Sequence, residues 1–236
     1  MTRKSRSKWS MLGMATLLSV VLFALPASAA WNDTYQGYAT YTSSGYSGGA
    51  VLLDPIPANM EITALNPTQM NYGGVKAALA GAYLEVTGPK GKTVVYVTDL
   101  YPEGPSGALD LSPNAFAKIG NIGDGKINIS WKVVKAPITG NFSYRIKEGS
   151  SQWWAAIQVR NHKYPVMKLE VQKNGSWLNL QKMDYNHFLG EQLGNQPLKV
   201  RITDIHGISV TDTIPALPSS GGSGAYIVPG KVQFPD

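Results

Sequence analysis

The stretch Tyr83-Leu-Glu-Val-Thr-Gly-Pro-Lys-Gly-Lys-Thr-Val-Val-Tyr-Val-Thr-Asp99 contains two runs of residues that favour β-strands, joined by Gly-Pro-Lys-Gly at 88–91. β-Branched and aromatic side chains fit the surface of a pleated sheet, whereas glycine and proline are typical of a tight connection between strands. The stretch therefore predicts a β-hairpin.

The same strand-like character continues towards the C-terminus. Ile127-Asn-Ile-Ser-Trp-Lys-Val-Val134 alternates apolar and polar residues, which predicts a strand with one buried face. Further strand candidates follow, with turns about every 8 to 12 residues, at 143–147, 155–160, 166–171, 177–180, 198–203 and 226–228. This spacing is typical of a β-sandwich, so we predict a mainly β chain.

The clearest helix signal is Ser112-Pro-Asn-Ala-Phe-Ala-Lys-Ile-Gly120. Serine is a favoured residue immediately before a helix, proline is favoured in its first turn, and glycine is favoured just after its end. We therefore predict a short helix that Ser112 caps and Gly120 terminates.

The first thirty residues have the composition of a secretory signal peptide. Four basic residues precede the apolar run 9–25, which contains serine and glycine and is followed by Ala27-Ser-Ala29-Ala30. A basic start, a short apolar segment and an Ala-x-Ala site predict an exported chain rather than a membrane span. Because the sequence has no cysteine, we expect it to be stabilised by burial alone, without disulfides.

The distribution of charge divides the remaining chain. Residues 31–131 have five Lys and eight acidic residues, a net charge of −3, whereas residues 132–236 have twelve basic and seven acidic residues, a net charge of +5. Without the signal peptide the net charge is +2, which argues against nucleic acid as a partner. We place a linker at 132–137, with one domain over 31–131 and the other over 138–236.

Three carboxylates and a tyrosine lie close together in the acidic half, at Asp99, Tyr101, Glu103 and Asp110. They either line one groove, or simply end a strand and brace the start of the predicted helix. Hydrolysis of a glycosidic bond usually takes two carboxyl groups. The polar segment 34–50 supplies hydroxyls and aromatic rings but no acid, so a general base is not evident there.

Adjacent tryptophans mark the basic half, at Trp153 and Trp154. In a regular strand one of the two would face the core, whereas an irregular segment after Gly149-Ser-Ser151 would expose both. Tyr185 is a third aromatic residue in a turn-like context. Flat aromatic rings pack against the apolar faces of sugars, and we interpret Trp131 and Trp177, which lie in alternating segments, as core residues.

No metal or cofactor site is evident. The three histidines, His162, His187 and His206, lack the spacing of metal ligands, so we interpret them as solvated or locally hydrogen-bonded. Gly45-Tyr-Ser47-Gly-Gly49 matches a nucleophile pattern that requires a strand-to-helix turn. No helix signal follows it, and we predict a glycine-rich loop.

Several motifs in this order resemble the bacterial expansins: Gly37-Tyr-Ala-Thr-Tyr-Thr42, Ser47-Gly-Gly-Ala50, Asn71-Tyr-Gly-Gly74, Val97-Thr-Asp-Leu-Tyr-Pro-Glu-Gly104 and Leu109-Asp-Leu-Ser-Pro-Asn-Ala-Phe116. The resemblance covers essentially residues 31–236. It implies an all-β chain, with a six-stranded double-psi β-barrel over 31–131 followed by an immunoglobulin-like, cellulose-binding β-sandwich over 138–236.

The resemblance also implies functional residues. It places Asp110 where related inverting endoglucanases have their acid, and implies loosening of cell walls without measurable hydrolysis, with Asp110 essential. The other residues that it implies for the groove are Thr40, Thr42, Ser44, Asp99, Tyr101 and Glu103. Those that it implies for the carbohydrate-binding platform are Trp153, Trp154, Tyr185 and Lys147.

The expected partners are cellulose and other wall polysaccharides. Basic residues of the second half would add salt-sensitive binding to acidic wall polymers or peptidoglycan. We expect a secreted, wall-associated monomer without cofactor, metal, nucleic-acid or membrane partner after signal cleavage. An alternative remains open, because lytic transglycosylases with a similar barrel operate with a single aspartate, so Asp110 would be the acid of a lytic transglycosylase or of an inverting glycosidase.

Overall fold

The structure, a computed structural model, describes residues 30–236. Residues 1–29, which hold nearly all of the predicted signal peptide, lie outside this part. Within the described part, no helix is both long and apolar enough to cross a membrane.

Six strands close into a barrel: β1 (Tyr35–Tyr41), β2 (Ile62–Leu65), β3 (Tyr83–Gly88), β4 (Gly91–Leu100), β5 (Leu109–Leu111) and β6 (Ile127–Val134). Around the barrel their order is β1-β5-β2-β4-β3-β6. β1 is parallel to β5 and β2 is parallel to β4, while the other neighbours are antiparallel, including the predicted hairpin β3–β4. The six-stranded double-psi barrel is confirmed.

A close approach of two glycines fixes how β1 lies against the segment before β5. A Cβ atom on Gly37 would stand 2.2 Å from the carbonyl oxygen of Gly107, and Gly107 itself has a positive φ of 84°. The same oxygen accepts a hydrogen bond from the indole N–H of Trp131 at 2.9 Å. Trp131 is 1% exposed, so its predicted place in the core is confirmed.

Two short helices, α1 (Pro67–Met70) and α2 (Pro113–Ile119), and two 3₁₀ turns, Tyr72–Gly74 and Ile122–Asp124, connect the barrel strands. The predicted helix is confirmed as α2 with Ser112 as its N-cap residue, although the Ser112 side chain makes no capping hydrogen bond. The Ser112 hydroxyl instead accepts a hydrogen bond from the backbone N–H of Ile62 at 3.0 Å. The serine therefore ties the start of α2 to β2.

The rest of the chain forms nine strands: β7 (Ser143–Ile146), β8 (Trp154–Arg160), β9 (Val166–Lys173), β10 (Ser176–Asn179), β11 (Gln181–Lys182), β12 (Phe188–Glu191), β13 (Leu198–Asp204), β14 (Ser209–Ile214) and β15 (Tyr226–Pro229). They make a four-stranded sheet, β10-β9-β13-β14, and a five-stranded sheet, β11-β12-β8-β7-β15. One apolar cluster, which includes Phe142, Tyr144 and Phe188, is buried between them. The predicted sandwich is confirmed.

Trp177 is not a core residue, contrary to the sequence-based interpretation. It lies on edge strand β10 and is partly exposed. The guanidinium of Arg201 lies 4.5 Å, and the ammonium of Lys199 6.0 Å, from the centre of its ring. Alternation along β10 identified two faces but did not tell which of them is the outer one.

The predicted linker begins too early. Residues 132–134 belong to β6 and pair with Tyr83–Glu85 of β3, so they complete the barrel wall. The polar and apolar alternation of β6 continues through these residues, and the strand ends before Lys135. The segment between strands β6 and β7 is therefore 135–142, and its last residue, Phe142, already belongs to the sandwich core.

Strand β8 also contacts the barrel directly. The Gln158 side chain donates a hydrogen bond to the carbonyl oxygen of Val51 at 3.0 Å. The Arg160 guanidinium donates to the carbonyl oxygens of Leu52 at 2.6 Å and Asp54 at 3.2 Å. The outer face of the five-stranded sheet is therefore docked on segment 51–54, which continues from the barrel loop beside β4.

Candidate functional site

Two of the predicted groove residues meet across the parallel pair β1–β5. Thr40 and Asp110 are directly opposite in register, and the Thr40 hydroxyl donates a hydrogen bond to Asp110 Oδ1 at 2.6 Å. Both side chains are partly exposed. The barrel thus presents a carboxylate and a hydroxyl as one hydrogen-bonded unit at its surface.

The surroundings of Asp110 favour its protonated form. Burial is the largest cause that raises the pKa of Asp110 above its ordinary value. The hydrogen bond from Thr40 opposes this effect, and the charge of nearby Glu103 adds to it. A carboxyl group with a raised pKa can both accept and donate a proton near neutral pH more readily than an exposed one.

Tyr101 extends this hydrogen-bonded set. Its phenol contacts the Thr40 hydroxyl, which lowers the pKa of Tyr101, while burial, the phenol of Tyr38 and the charge of Asp110 raise it more. Tyr38 was not predicted, although it shares a face of β1 with Thr40 because the two are separated by one residue. The ammonium of Lys126 lies 3.7 Å from the centre of the Tyr38 ring.

Asp99, also predicted for the groove, braces a loop. Its Oδ1 accepts hydrogen bonds from the backbone N–H groups of Ala50 at 2.7 Å and Leu100 at 2.8 Å. The loop has little freedom there, because a Cβ atom on Gly49 would lie 2.7 Å from the carbonyl oxygen of Thr98. Asp99 therefore fixes the wall that runs from the predicted glycine-rich loop towards segment 51–54.

The remaining predicted groove residues lie at the rim. Thr42 and Ser44 follow the end of β1, where Thr42 is partly exposed and Ser44 is exposed. Their hydroxyls share a hydrogen bond of 3.1 Å. Glu103 is exposed and acts on Asp110 through its charge. We define the groove as Thr40, Tyr101, Glu103 and Asp110, with Tyr38 in contact with Tyr101.

The two adjacent tryptophans both reach solvent. Trp153 lies in a bend before β8 and is 64% exposed. Trp154 is the first residue of β8, is partly exposed, and pairs with Glu191. The chain is irregular at Gln152 and Trp153, so strand alternation does not force one of the two rings into the core. Of the two alternatives left by the sequence, the irregular segment is the one observed.

Tyr185 lies in the turn between β11 and β12, on the same side of the sheet. Its ring is tilted by 40° relative to that of His187, with 5.4 Å between ring centres. The turn also contacts the barrel, because Asp184 forms an ion pair of 3.1 Å with Lys76. We define the aromatic platform as Trp153, Trp154 and Tyr185.

A polar row lies beside the platform. Lys147 forms an ion pair with Glu148, and Arg145 lies 3.6 Å from the same carboxylate. Arg145 also contacts His187 Nε2 at 3.1 Å. Neither Arg145 nor His187 was singled out from the sequence as part of this surface, because neither carries a motif that distinguishes it from a structural residue.

The groove and the platform share a structural connection. Trp154, Gln158 and Arg160 lie on one face of β8 because every second residue of a strand points to the same side. Trp154 belongs to the platform, while Gln158 and Arg160 hold the barrel segment that follows Ala50. At about 3.3 Å per residue, roughly 13 Å of strand separates Trp154 from Gln158.

Among residues 30–236, no cluster of three or more His, Asp or Glu side chains is arranged to hold a metal ion. His162 is not solvated, which excludes one of the two alternatives in the sequence-based interpretation. It is 5% exposed, its Nδ1 has no hydrogen-bond partner, and burial lowers the pKa of His162 to about 4. It is therefore neither solvated nor hydrogen-bonded at that nitrogen.

Comparison with other sequences places these features among known proteins. Residues 67–131 match the family described as lytic transglycolase. The chain is 73% identical over 220 residues to Expansin-YoaJ of Bacillus subtilis (strain 168), which covers 93% of this chain and 95% of that protein. It is 27% identical over 192 residues to Expansin-like protein 1 of Dictyostelium discoideum, which covers 77% of this chain and 66% of that protein.

Solved structures give the same result. The apo expansin of Clavibacter michiganensis aligns with a TM-score of 0.74 and 33% identity, and covers 86% of this chain and 100% of its own. A mutant of that expansin in complex with cellohexaose aligns with the same score, identity and coverage. The similarity therefore spans both the barrel and the sandwich.

Proposed function

Since this chain belongs to the expansin family, we propose that it binds cellulose through the aromatic platform and loosens noncovalent contacts between wall polysaccharides through the groove. The observation that carries the proposal is the combination of exposed rings at Trp153 and Trp154 with the hydrogen-bonded pair of Thr40 and Asp110. The related expansin that holds cellohexaose supports a glucan as the ligand.

The platform has the chemistry of a site for a neutral glucan. The faces of indole and phenol rings pack against the apolar C–H faces of pyranose rings. Trp153 is 64% exposed. A large aromatic ring in contact with water favours aggregation unless it binds a ligand, so its exposure supports a binding role. Lys147 and Arg145 beside the rings supply donors for sugar hydroxyls.

The groove supplies donors and acceptors for a second glucan contact. The Thr40 hydroxyl is hydrogen-bonded to both Asp110 and Tyr101. The three side chains can replace these hydrogen bonds by hydrogen bonds to the hydroxyls of a single glucan chain. A chain held in this way would lose hydrogen bonds to its neighbours in the wall. The proposed loosening therefore breaks no covalent bond.

We propose that hydrolysis does not accompany loosening. Hydrolysis usually needs a second carboxyl group at a defined distance from the acid. The position paired with Asp110 on β1 is occupied by the hydroxyl of Thr40, and one oxygen of Asp99 is held by two backbone N–H groups. Glu103 is exposed on a turn, outside the paired strands.

We also propose where the protein acts. The leader at 1–30 supports export and cleavage, and the motifs of the described part support action on walls outside the cell. Basic residues of the sandwich, such as Lys173, Lys199 and Arg201, would add affinity for acidic wall polymers or peptidoglycan that salt weakens. We propose that it acts as a monomer.

Glycan cleavage is the second candidate function. It is favoured by the match of residues 67–131 to the lytic transglycolase family and by the raised pKa of Asp110, which suits a proton donor. A lytic transglycosylase needs no separate base, because a hydroxyl of the sugar itself attacks.

Creep of a heat-inactivated plant wall strip under constant load, with new sugar ends assayed in the same bath, distinguishes the two functions. We expect the wild type to give creep without new reducing or anhydro ends, and Asp110→Asn to abolish creep while retention on cellulose persists. Glu85→Gln, which changes a carboxylate on β3 away from the groove, is the control and should creep normally. New ends that disappear with Asp110→Asn would instead show a glycosidase or lytic transglycosylase.

A further inference from the structure

The turn that carries Tyr185 is held by its own backbone, by the ion pair of Asp184 with Lys76 and by the imidazole of His187. The N–H of Met183 donates to the carbonyl oxygen of His187 at 2.8 Å, and the N–H of Asn186 donates to that of Met183 at 2.9 Å. Asn186 has a positive φ of 58°. Across this turn, His187 Nδ1 lies 2.8 Å from the carbonyl oxygen of Tyr185.

His187 faces the platform side of the sheet and not the core. Phe188, the next residue, pairs with Ile157 and belongs to the apolar cluster between the sheets. His187 precedes β12 and contacts Arg145 of β7. Arg145 lies on the outer face of its strand, because its neighbours Tyr144 and Ile146 belong to the core cluster. His187 is nevertheless fully buried, with 0% exposure.

The partners of His187 determine which ring nitrogen carries the proton. Arg145 approaches Nε2 at 3.1 Å, and a guanidinium can only donate, so Nε2 must accept. In a neutral imidazole the other nitrogen, Nδ1, then carries the hydrogen and donates it to the carbonyl oxygen of Tyr185. Arg145 thus selects the tautomer that ties the imidazole to the turn.

We propose that His187 is a positioning residue for Tyr185: the chain from Arg145 through His187 to the Tyr185 carbonyl fixes the turn so that the phenol ring is presented to the glucan. This inference rests on the proposed function of the platform. The Tyr185 ring packs against His187, whereas Trp154 is held by strand pairing. The orientation of the third ring therefore depends on a histidine that does not touch the ligand.

Burial and the surrounding positive charges keep the imidazole of His187 neutral. Burial is the main cause that lowers the pKa of His187 to about 4, and Arg145, Arg160 and Lys147 add to it, while the hydrogen bond with Tyr185 opposes it. Glu148 lies on the far side of Arg145, and Asp184 of the same turn is paired with Lys76. The neutral imidazole is therefore the form present at neutral pH.

Two substitutions separate the two hydrogen bonds. In His187→Asn the amide nitrogen can take the place of Nδ1 and donate to Tyr185, whereas in His187→Gln the longer amide replaces Nε2 and that donor is lost. We expect His187→Gln to weaken binding of cellohexaose by on the order of fivefold, the size of one hydrogen bond, and His187→Asn to weaken it less. Binding is measured by isothermal titration calorimetry.

A double-mutant cycle shows whether the histidine acts through the ring. If it does, His187→Gln should cost nothing further once Tyr185→Ala has removed the phenol. Equal losses from His187→Gln in both backgrounds, or no loss in the wild-type background, would overturn the inference. A ¹⁵N spectrum of the imidazole supplies a second test, since a neutral Nε2–H tautomer of His187 would also overturn it.

Different outcomes reject the proposed binding platform and the positioning role of His187. If Tyr185→Ala and the double change Trp153→Ala with Trp154→Ala both leave binding unchanged, the platform itself is rejected. If those variants weaken binding but His187→Gln does not, only the positioning role is rejected. His206→Gln, which changes a histidine paired with Asp204, is the matched control and should bind as the wild type does.

Discussion

A single hydroxyl opposes the effect of burial on Asp110, the carboxyl group to which we assign the proposed loosening. The Thr40 hydrogen bond lowers the pKa of Asp110 against the effects of burial and Glu103. Thr40→Val removes the donor with little change of shape, so we expect the pKa of Asp110 to rise further. A carboxyl ¹³C NMR titration measures the pKa of Asp110. Thr42→Val, which changes a rim hydroxyl, is the control and should leave this pKa unchanged. A fall in the pKa of Asp110 with Thr40→Val would contradict the argument.

The sequence predicted this pair only in part. Asp110 and Thr40 came from motif resemblance, and register then placed them opposite each other. Tyr38 and His187 were missed because their roles depend on neighbours distant in sequence, Tyr101 for one and Arg145 for the other. A tyrosine or histidine has the same appearance in a sequence whether it faces a groove or fills space.

Two buried histidines predict how stability depends on pH. Burial lowers the pKa of both His162 and His187 to about 4, with the charge of Lys182 adding to the effect at His162 and that of Arg145 at His187. Folding thus favours their neutral forms, so their contribution is complete above pH ~6.5, the unfolded pKa, and is lost as the pH falls towards 4. Each contributes at most about 3 kcal/mol.

Urea denaturation between pH 7 and pH 4 measures this loss. We expect the free energy of unfolding to decrease across the whole interval, and the decrease to be smaller in His162→Leu, which cannot be protonated. Glu170, whose pKa Arg201 lowers to about 2, adds a separate loss that begins near its unfolded pKa of about 4.5, at the acid end of this interval, and continues below it. The same slope in His162→Leu and the wild type would show that His162 does not supply it.

Among the elements, length and composition together determined what could be predicted. The hairpin β3–β4, strand β6 and helix α2 gave clear patterns, and so did six of the sandwich strands. β5 has only three residues, Leu109–Leu111, which is too short for a period to be evident, yet it carries Asp110. β1 has three tyrosines but only one aliphatic side chain, Ala39, among its seven residues, so it gave a polar segment instead of a strand signal.

The start of β8 supplies the binding energy in our proposal. We expect Trp153→Ala together with Trp154→Ala to weaken retention on cellulose by on the order of 2 kcal/mol, about 30-fold, since exposed aromatic anchors dominate such surfaces. Depletion isotherms on microcrystalline cellulose measure this. Trp177→Ala, on the opposite sheet beneath Arg201, is the control, and an equal loss there would point to unfolding or to a second surface.

At the scale of the molecule, the contacts that dock the sandwich on the barrel cannot be recognised from any sequence motif. Gln158 and Arg160 donate to backbone carbonyl oxygens of Val51, Leu52 and Asp54. Every residue has such an oxygen, so a sequence contains no sign of which ones will be used. The two-part architecture was therefore predictable, whereas the docking that brings groove and platform into one arrangement was not.

This docking gives a prediction in which binding and loosening separate. Arg160 spans two carbonyl oxygens with its planar guanidinium, and lysine cannot reproduce that fork. In Arg160→Lys we expect retention on cellulose within about twofold of wild type, because the platform is intact, but a creep rate several-fold lower, because the groove is no longer held relative to the platform. Arg201→Lys, which changes a guanidinium on the opposite sheet, should creep at the wild-type rate. Small-angle scattering shows whether barrel and sandwich are more loosely arranged in Arg160→Lys. If they are and creep is still normal, the two parts act independently, and loosening does not require a fixed geometry between them.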